Sequence, residues 1–211
     1  MQQRTIHFGE DEQSYIQTHS GFKPPVTLIR DYLNPAQQGA LKTEAATFAF
    51  KQPQIKIRGE LRTIACRQVW FGDEGCDYEY SSLLINAQPW PKYANKLKQK
   101  LRNDFGLYFN GVLVNQYLNG RQHVGWHDDD EPELIRSATI ASISVGASRD
   151  FSLRHNNSRE VVTIPLHSGD LLLMHSPMQQ QWQHCLPKRL KVEESRLNFT
   201  FRQLTPFFHL K

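Results

Sequence analysis

Cysteine is scarce in this chain: three occur in 211 residues, at Cys66, Cys76 and Cys185, and no Cys-x-x-Cys pair is among them. An odd count without paired spacing excludes a disulfide framework and a thiolate zinc site as organising features, and it fits a reducing compartment. No apolar run approaches the roughly 20 residues that cross a bilayer, and Met1 to Ser20 hold no apolar signal core. The expectation is a soluble protein inside the cell with no membrane partner, cytoplasmic if the source is bacterial and nuclear if it is eukaryotic. Internal repeats and low-complexity blocks are missing too. Charge of one sign does not dominate: 25 basic residues face 21 acidic ones, for a formal +4. So small a surplus suits a polyanionic partner without requiring one.

What is present is a globular composition. Aromatics make up 11% of the chain, with four tryptophans, enough to expect a packed core. The length suits one domain, expected to be a monomer. Residues 1–20 are poor in apolar side chains and read as a flexible arm, leaving 21–211 as the folded unit.

The first half of that unit reads as helices and a hairpin. Asn34-Pro35 combines a capping residue with proline at the first helical position. Leu41, Ala45 and Phe48 follow at helical spacing, predicting a helix over 35–49. Partial alternation over 54–71 predicts a β-hairpin with its tip near Arg58-Gly59-Glu60. Pro89-Trp90-Pro91 opens a second helix with a core stripe at Tyr93, Leu97 and Leu101. Its lysines and Arg102 read as a solvated face, with DNA contact the lesser reading. From about 111 to 205 the pattern is β, with strands predicted at 112–118, 138–145, 149–154, 160–165, 170–175 and 195–203. Asn119-Gly120 marks a turn after the first. Many short strands after a helical start predict a mainly β fold, a double-sheet jelly roll with helices packed outside.

Two patterns carry chemistry. His127 and Asp129 lie two apart, so on an extended segment both side chains share a face. Two imidazoles and a carboxylate suit Fe(II) and leave three coordination positions open. The third ligand must come from another strand. His184 is the best candidate, with His123, His155, His167 and His175 as rivals. Face parity excludes Asp128 and Asp130. The second pattern is Arg196-Leu197-Asn198-Phe199-Thr200-Phe201-Arg202, where alternation is complete. Arg196, Asn198, Thr200 and Arg202 share one face, and two guanidiniums turned into a barrel require an anion. A short dicarboxylate meets both requirements, with Asn115 and Tyr117 on a neighbouring strand as further polar contacts. A zinc hydrolase is the alternative metal chemistry, but it gives the arginine strand no role.

Taken in order, Asn115-Gln116-Tyr117 with Asn119-Gly120, His127-Asp128-Asp129, Ile140-Ala141-Ser142-Ile143-Ser144, Arg149-Asp150-Phe151, Trp182-Gln183-His184-Cys185-Leu186-Pro187 and the arginine strand resemble the AlkB family. The likeness runs from about 58 to 204 and looks closest to the subgroup that repairs duplex DNA. It implies an iron(II) dioxygenase with a double-stranded β-helix core at about 111–205 and a nucleotide-recognition extension at about 21–110. It implies O2 and 2-oxoglutarate as co-substrates. The implied reaction is oxidative demethylation of bases such as N1-methyladenine and N3-methylcytosine in DNA, releasing formaldehyde, with succinate and CO2 as the other products. His127, Asp129 and His184 would ligate iron, and Asn115, Tyr117, Arg196, Asn198, Thr200 and Arg202 would surround 2-oxoglutarate. Tyr78-Glu79-Tyr80-Ser81 would cover the flipped base, with Asp130 and Glu131 beside it. Arg58, Gly59 and Glu60 would probe the duplex, Ile57 or Arg58 being the wedge. Tyr80, Tyr78 and Trp70 are the ring-stacking candidates, and the Lys188–Lys191 loop the phosphate grip. The alternatives are a substrate of RNA or of no nucleic acid at all, and a catalytically dead nucleic-acid binding module.

Overall fold

The computed structural model describes residues 23–57, 60–80 and 83–210; the N-terminal arm lies outside them. Helix α1 (Pro35–Ala45) begins as its sequence dictates: the Asn34 side chain accepts the Gln37 N–H at 2.9 Å, and the Gln37 side chain accepts the Asn34 N–H at 2.9 Å. It stops four residues short of the expected 49, where the Thr47 hydroxyl donates to the Glu44 carbonyl at 2.7 Å. Such local bonds compete with helix continuation. Helix α2 (Lys92–Phe105) has Pro91 at its cap, which supplies no side-chain bond. Glu44 of α1 serves instead, accepting the Tyr93 and Ala94 N–H groups at 2.8 and 3.1 Å, an anion at the positive helix end. The buried stripe of α2 is Ala94, Leu97 and Leu101 rather than Tyr93, which is 36% exposed. Its basic face is partly engaged: Lys98 pairs with Asp73 at 2.9 Å and lies over Trp90, and Lys100 pairs with Asp104 at 2.6 Å.

The rest is a jelly roll. Strands β1 (Val26–Ile29), β4 (Arg67–Gly72), β7 (Gly111–Tyr117), β9 (Ile140–Gly146), β12 (Leu171–Met174) and β14 (Arg196–Arg202) form a six-stranded antiparallel sheet in the order β1-β12-β9-β14-β7-β4. Facing it, β8 (Val124–His127), β10 (Arg149–His155), β11 (Val161–Leu166) and β13 (Trp182–Leu186) run β11-β10-β13-β8. Short helix α3 (Met178–Gln181) precedes β13. Two hairpins stand apart, β2 (Gln54–Ile57) with β3 (Glu60–Thr63) and β5 (Tyr78–Tyr80) with β6 (Leu83–Ile85). The hairpin expected over 54–71 therefore closes by residue 63; its last residues form β4, an edge strand of the large sheet.

Two apolar layers flank the large sheet. Leu197, Phe199 and Phe201 of β14 pack with Val112 and Val114 against Leu41, Leu97 and Leu101 of the helices. Between the two sheets lie Phe151, Leu153, Leu172, Met174 and Trp182. Each such side chain stabilises the fold by about 1.5–3 kcal/mol. All seven residues of β14 are buried, so its polar face is enclosed rather than solvated. Helices hold one face, and the barrel interior receives the other.

Candidate active site

Register between β8 and β13 places His127 opposite His184, with ring centroids 4.2 Å apart. Asp129 follows β8 by two residues and turns its Oδ1 to within 3.9 Å of both Nε2 atoms. All three ligand atoms fall within 4.8 Å of one another, the only such group among the described residues. His127 Nδ1 lies 2.8 Å from the Gly125 carbonyl, which fixes the ring with Nε2 toward the cluster. Burial, and then His127, push the His184 pKa down to about 3, so this imidazole is neutral, as a metal ligand must be. Burial alone would raise Asp129, but Arg202 foremost, then the two histidines, hold it at about 2. Arg202 Nη2 stands 2.9 Å from Asp129 Oδ2, and Gln179 accepts the Asp129 N–H at 3.0 Å. Asp128 and Asp130 stay out of the cluster.

The rival histidines are occupied or distant. His175 sits between the Thr27 and Thr139 hydroxyls at 3.0 and 3.1 Å. His155 meets Ser158, and His167 meets Ser148. His123 joins no ligand group.

One cavity contains the cluster and the polar face of β14, together with Cys66, Gln68, Asn115 and Tyr117. Asn115 pairs with Asn198 and Tyr117 with Arg196 across β7 and β14. Arg196 is 1% exposed. Its Nη2 donates to the Ser144 hydroxyl at 2.8 Å, while Nε and Nη1 have no partner. Arg202, 4% exposed, likewise has Nε and Nη1 unpartnered. Buried donors left unmade cost about 1–3 kcal/mol each, so both guanidiniums fit a carboxylate-bearing ligand. Burial draws Arg196 down to about 10, which leaves it cationic at neutral pH. Asn198 is held by Ser142 and by the Ile143 carbonyl at 2.8 and 3.1 Å, and Thr200 donates to Asn198 at 3.3 Å. The donor set suits iron(II) beside a dicarboxylate such as 2-oxoglutarate.

Five contributors escaped the site reading from sequence. Ser142 and Ser144 alternate with apolar residues on β9, a signal that was available. Cys66, Gln68 and Gln179 carry no local signal. Burial pushes the Cys66 thiol up to about 11.

The residues implied for the base divide. Tyr78 is fully buried and stacks on Trp70 with centroids 4.7 Å apart, so neither ring offers a face to a base. This corrects the expectation of Tyr78 as a cover. Its hydroxyl instead donates to Glu131 at 2.5 Å, and Arg202 lies over its ring. Burial, then Asp129, raise Glu131 to about 7. Asp130 and Glu60 are exposed, and Glu79 is half-buried. Arg58, Gly59 and Ser81 lie outside the described residues, as do the side chains of Ile57 and Tyr80. In the Lys188–Lys191 loop, Arg189 is engaged by Asp150 rather than free for a phosphate. That loop lies backbone to backbone on the β7–β8 turn: Gly120 donates to Val192 at 2.7 Å, and Arg189 donates to Gly120 at 2.8 Å. A Cβ at Gly120 would overlap the Arg189 carbonyl, so glycine here answers a close approach. Arg149, 2% exposed, binds the Asn119, Gln122 and Pro187 carbonyls at 3.4, 2.9 and 2.7 Å.

Comparison with known proteins agrees with this geometry. Residues 25–202 match the model of the 2OG-Fe(II) oxygenase superfamily. The chain is 37% identical over 174 residues to proteins named DNA oxidative demethylase ALKBH2. That stretch is 79% of this chain and covers 63% of the Bos taurus protein and 73% of the Mus musculus protein. It is 38% identical over 147 residues to the Homo sapiens alpha-ketoglutarate-dependent dioxygenase alkB homolog 3, covering 65% of this chain and 51% of that protein. A solved structure described as that of OsALKBH1 superposes with a TM-score of 0.63 at 17% identity, over 86% of this chain and 99% of the other; it shares the fold. By sequence as well as by architecture, this chain belongs to the AlkB family of the 2OG-Fe(II) oxygenase superfamily.

Proposed function

We propose that this chain is an Fe(II)- and 2-oxoglutarate-dependent dioxygenase that removes alkyl groups from bases such as N1-methyladenine and N3-methylcytosine in DNA. Formaldehyde would be released, with succinate and CO2 formed from 2-oxoglutarate. One observation carries the reading: two buried arginines with unpartnered N–H groups share a cavity with a two-histidine, one-aspartate cluster. The DNA substrate is supported by the names of the bovine and mouse relatives and by the basic balance of the chain.

In this reading His127, Asp129 and His184 hold the iron, which with O2 and 2-oxoglutarate supplies the oxidising power. The protein's share is orientation and the exclusion of water. Arg196, kept in place by Ser144, grips one carboxylate. Arg202 keeps Asp129 ionised and turned toward both imidazoles. Asn115, Tyr117, Asn198 and Thr200 complete the polar wall. An alkylated base must leave its stack to reach this depth, and damaged bases that cannot pair leave at lower cost. Asp130 would place negative charge where a cationic methylated base enters, and Glu131, raised to about 7, would add to it as it ionises. Within residues 21–110 the β2–β3 and β5–β6 hairpins would meet nucleic acid, while β1, β4 and the two helices complete and back the sheet on which 111–205 perform the oxidation.

The test is to add iron(II) anaerobically, admit oxygen, and measure formaldehyde from methylated single- and double-stranded DNA and from methylated RNA. Equimolar formaldehyde and succinate from DNA are expected. Succinate without formaldehyde from any oligonucleotide would move the reading to a different substrate, and no 2-oxoglutarate consumption would indicate a binding module.

A further inference from the structure

Two segments meet beside Arg202: the β5 strand, whose Tyr78 ring lies under the Arg202 guanidinium, and the acidic loop at 130–135, whose Glu131 accepts the Tyr78 hydroxyl. Neither is a strand of the two large sheets. A third segment, residues 203–210 following β14, is fastened to both. Ile135 donates to the Gln203 carbonyl at 2.9 Å and Thr205 to the Glu133 carbonyl at 2.8 Å, which ties the acidic loop. Phe207 donates to the Gly75 carbonyl at 2.7 Å, which ties the run leading into β5. Its ring lies so near Gly75, where φ is +75°, that an added Cβ would stand 2.6 Å from ring carbons. The third joint is Glu133, whose side chain is 0% exposed. Its Oε1 accepts the Glu79 N–H at 2.6 Å. His209 Nε2 stands 3.7 Å from that same oxygen, and His209 Nδ1 stands 3.8 Å from Glu79 Oε2.

Burying a carboxylate is costly unless it is bonded and paired. Glu133 satisfies Oε1 with a backbone N–H of β5, and its own carbonyl accepts the Thr205 N–H of the strap, so its burial is tied to loop, strand and strap docking together. His127, His184 and the arginine strand stand on the large sheets, and Asp129, two residues past β8, is held by Arg202 and Gln179 rather than by this segment. What the strap does hold is the pair one residue before Glu79 and two before Glu133, namely Tyr78 bonded to Glu131.

We infer that residues 203–210 act as a strap, with Glu133, Phe207 and His209 as positioning residues that set the pair of buried Tyr78 and half-buried Glu131 behind the acidic loop proposed to receive the base, without a part in holding iron or 2-oxoglutarate. The substrate half of this inference rests on the function proposed above; the mechanical half does not.

Phe207→Ala, His209→Ala and Glu133→Gln test it by two measurements: amide hydrogen exchange over 76–80 and 131–135, and separate KM values for methylated oligonucleotide and 2-oxoglutarate. Phe207→Ala and His209→Ala should speed exchange at the Glu79 amide about tenfold, by loosening the strap that holds Glu133 against it. They should raise the oligonucleotide KM about fivefold and leave the 2-oxoglutarate KM unchanged. His209→Gln, which keeps a side-chain donor, should recover most of the loss. Glu133→Gln keeps the acceptor for Glu79 and should fall between. Unchanged exchange at Glu79 in both alanine variants overturns the strap. Faster exchange spread equally over both large sheets, or parallel rises in both KM values, reduces it to general stability and overturns the positioning role. If the unmodified protein turns over no oligonucleotide, the functional reading fails on its own, and the exchange measurement still decides the strap.

Discussion

The barrel interior and the rim above it are built differently. On β14 every residue is buried, and each polar side chain meets a partner from β9 or faces the shared cavity. On the rim, β2–β3 and β5–β6 are two-stranded pieces, with Leu61 70% exposed and Leu84 47% exposed. A two-stranded hairpin is marginal without packing beneath it. Groups that must hold an ion and a small co-substrate to a fraction of an ångström stand on sheets backed by helices. Under the proposed function, the groups that would meet a large and variable partner stand where the chain can adjust at low cost.

Substitutions can sharpen or break this contrast. The largest effect is expected inside: His184→Ala should abolish formaldehyde release while circular dichroism shows an intact fold. Retained turnover would remove His184 from the site. Next come Arg196→Ala and Arg202→Ala, which each remove charge-assisted bonds worth about 1.5–3 kcal/mol. The 2-oxoglutarate KM should rise roughly 10- to 100-fold, with the oligonucleotide KM nearly constant; a constant requirement for both ligands would contradict the arginine strand's role. Between interior and rim lies Arg149→Met, which releases three carbonyls of the 119–122 turn and the loop at Pro187. It should lower stability by about 3 kcal/mol in denaturant unfolding, and a loss near zero would show those bonds to be dispensable. At the rim itself Leu61→Ser and Leu84→Ser should cost less than about 0.5 kcal/mol. Smallest of all is the response of Cys66 to thiol reagents. Its pKa is raised to about 11 by burial, and a raised acid pKa leaves the neutral thiol in place below that value. Alkylation should be negligible from pH 7 to 9, increase only as pH nears 11, and slow further with 2-oxoglutarate present. Fast labelling at pH 7 would mean that the interior is more open than its burial indicates.

Legibility in the sequence follows the same division. Strands β7, β9, β10, β11, β12 and β14 begin and end within two residues of the positions expected from alternation, because their two faces meet chemically different surroundings. Strands β8 and β13 carry both histidine ligands and left no strand signal. Val124-Gly125-Trp126-His127 is four residues with a glycine, and Trp182-Gln183-His184 mixes its faces. What holds these strands is pairing with each other and with β10, a property of distant segments. The same holds for β4, whose Val69, Trp70 and Phe71 are buried on both faces and so do not alternate. The metal triplet was readable because His127 and Asp129 share a face by local geometry, while only the fold could bring His184 opposite His127. Tyr78 shows the converse: the motif put it near the base, but burial against Trp70 decides what its ring can touch.

The contact at Gly120 has a consequence for the two strands that flank it. With two main chains touching there and Arg149 gripping both sides, the 119–122 turn and the 187–192 loop are one bonded unit. A displacement of either is therefore shared by the start of β8 and the end of β13, and with them by His127 and His184 together.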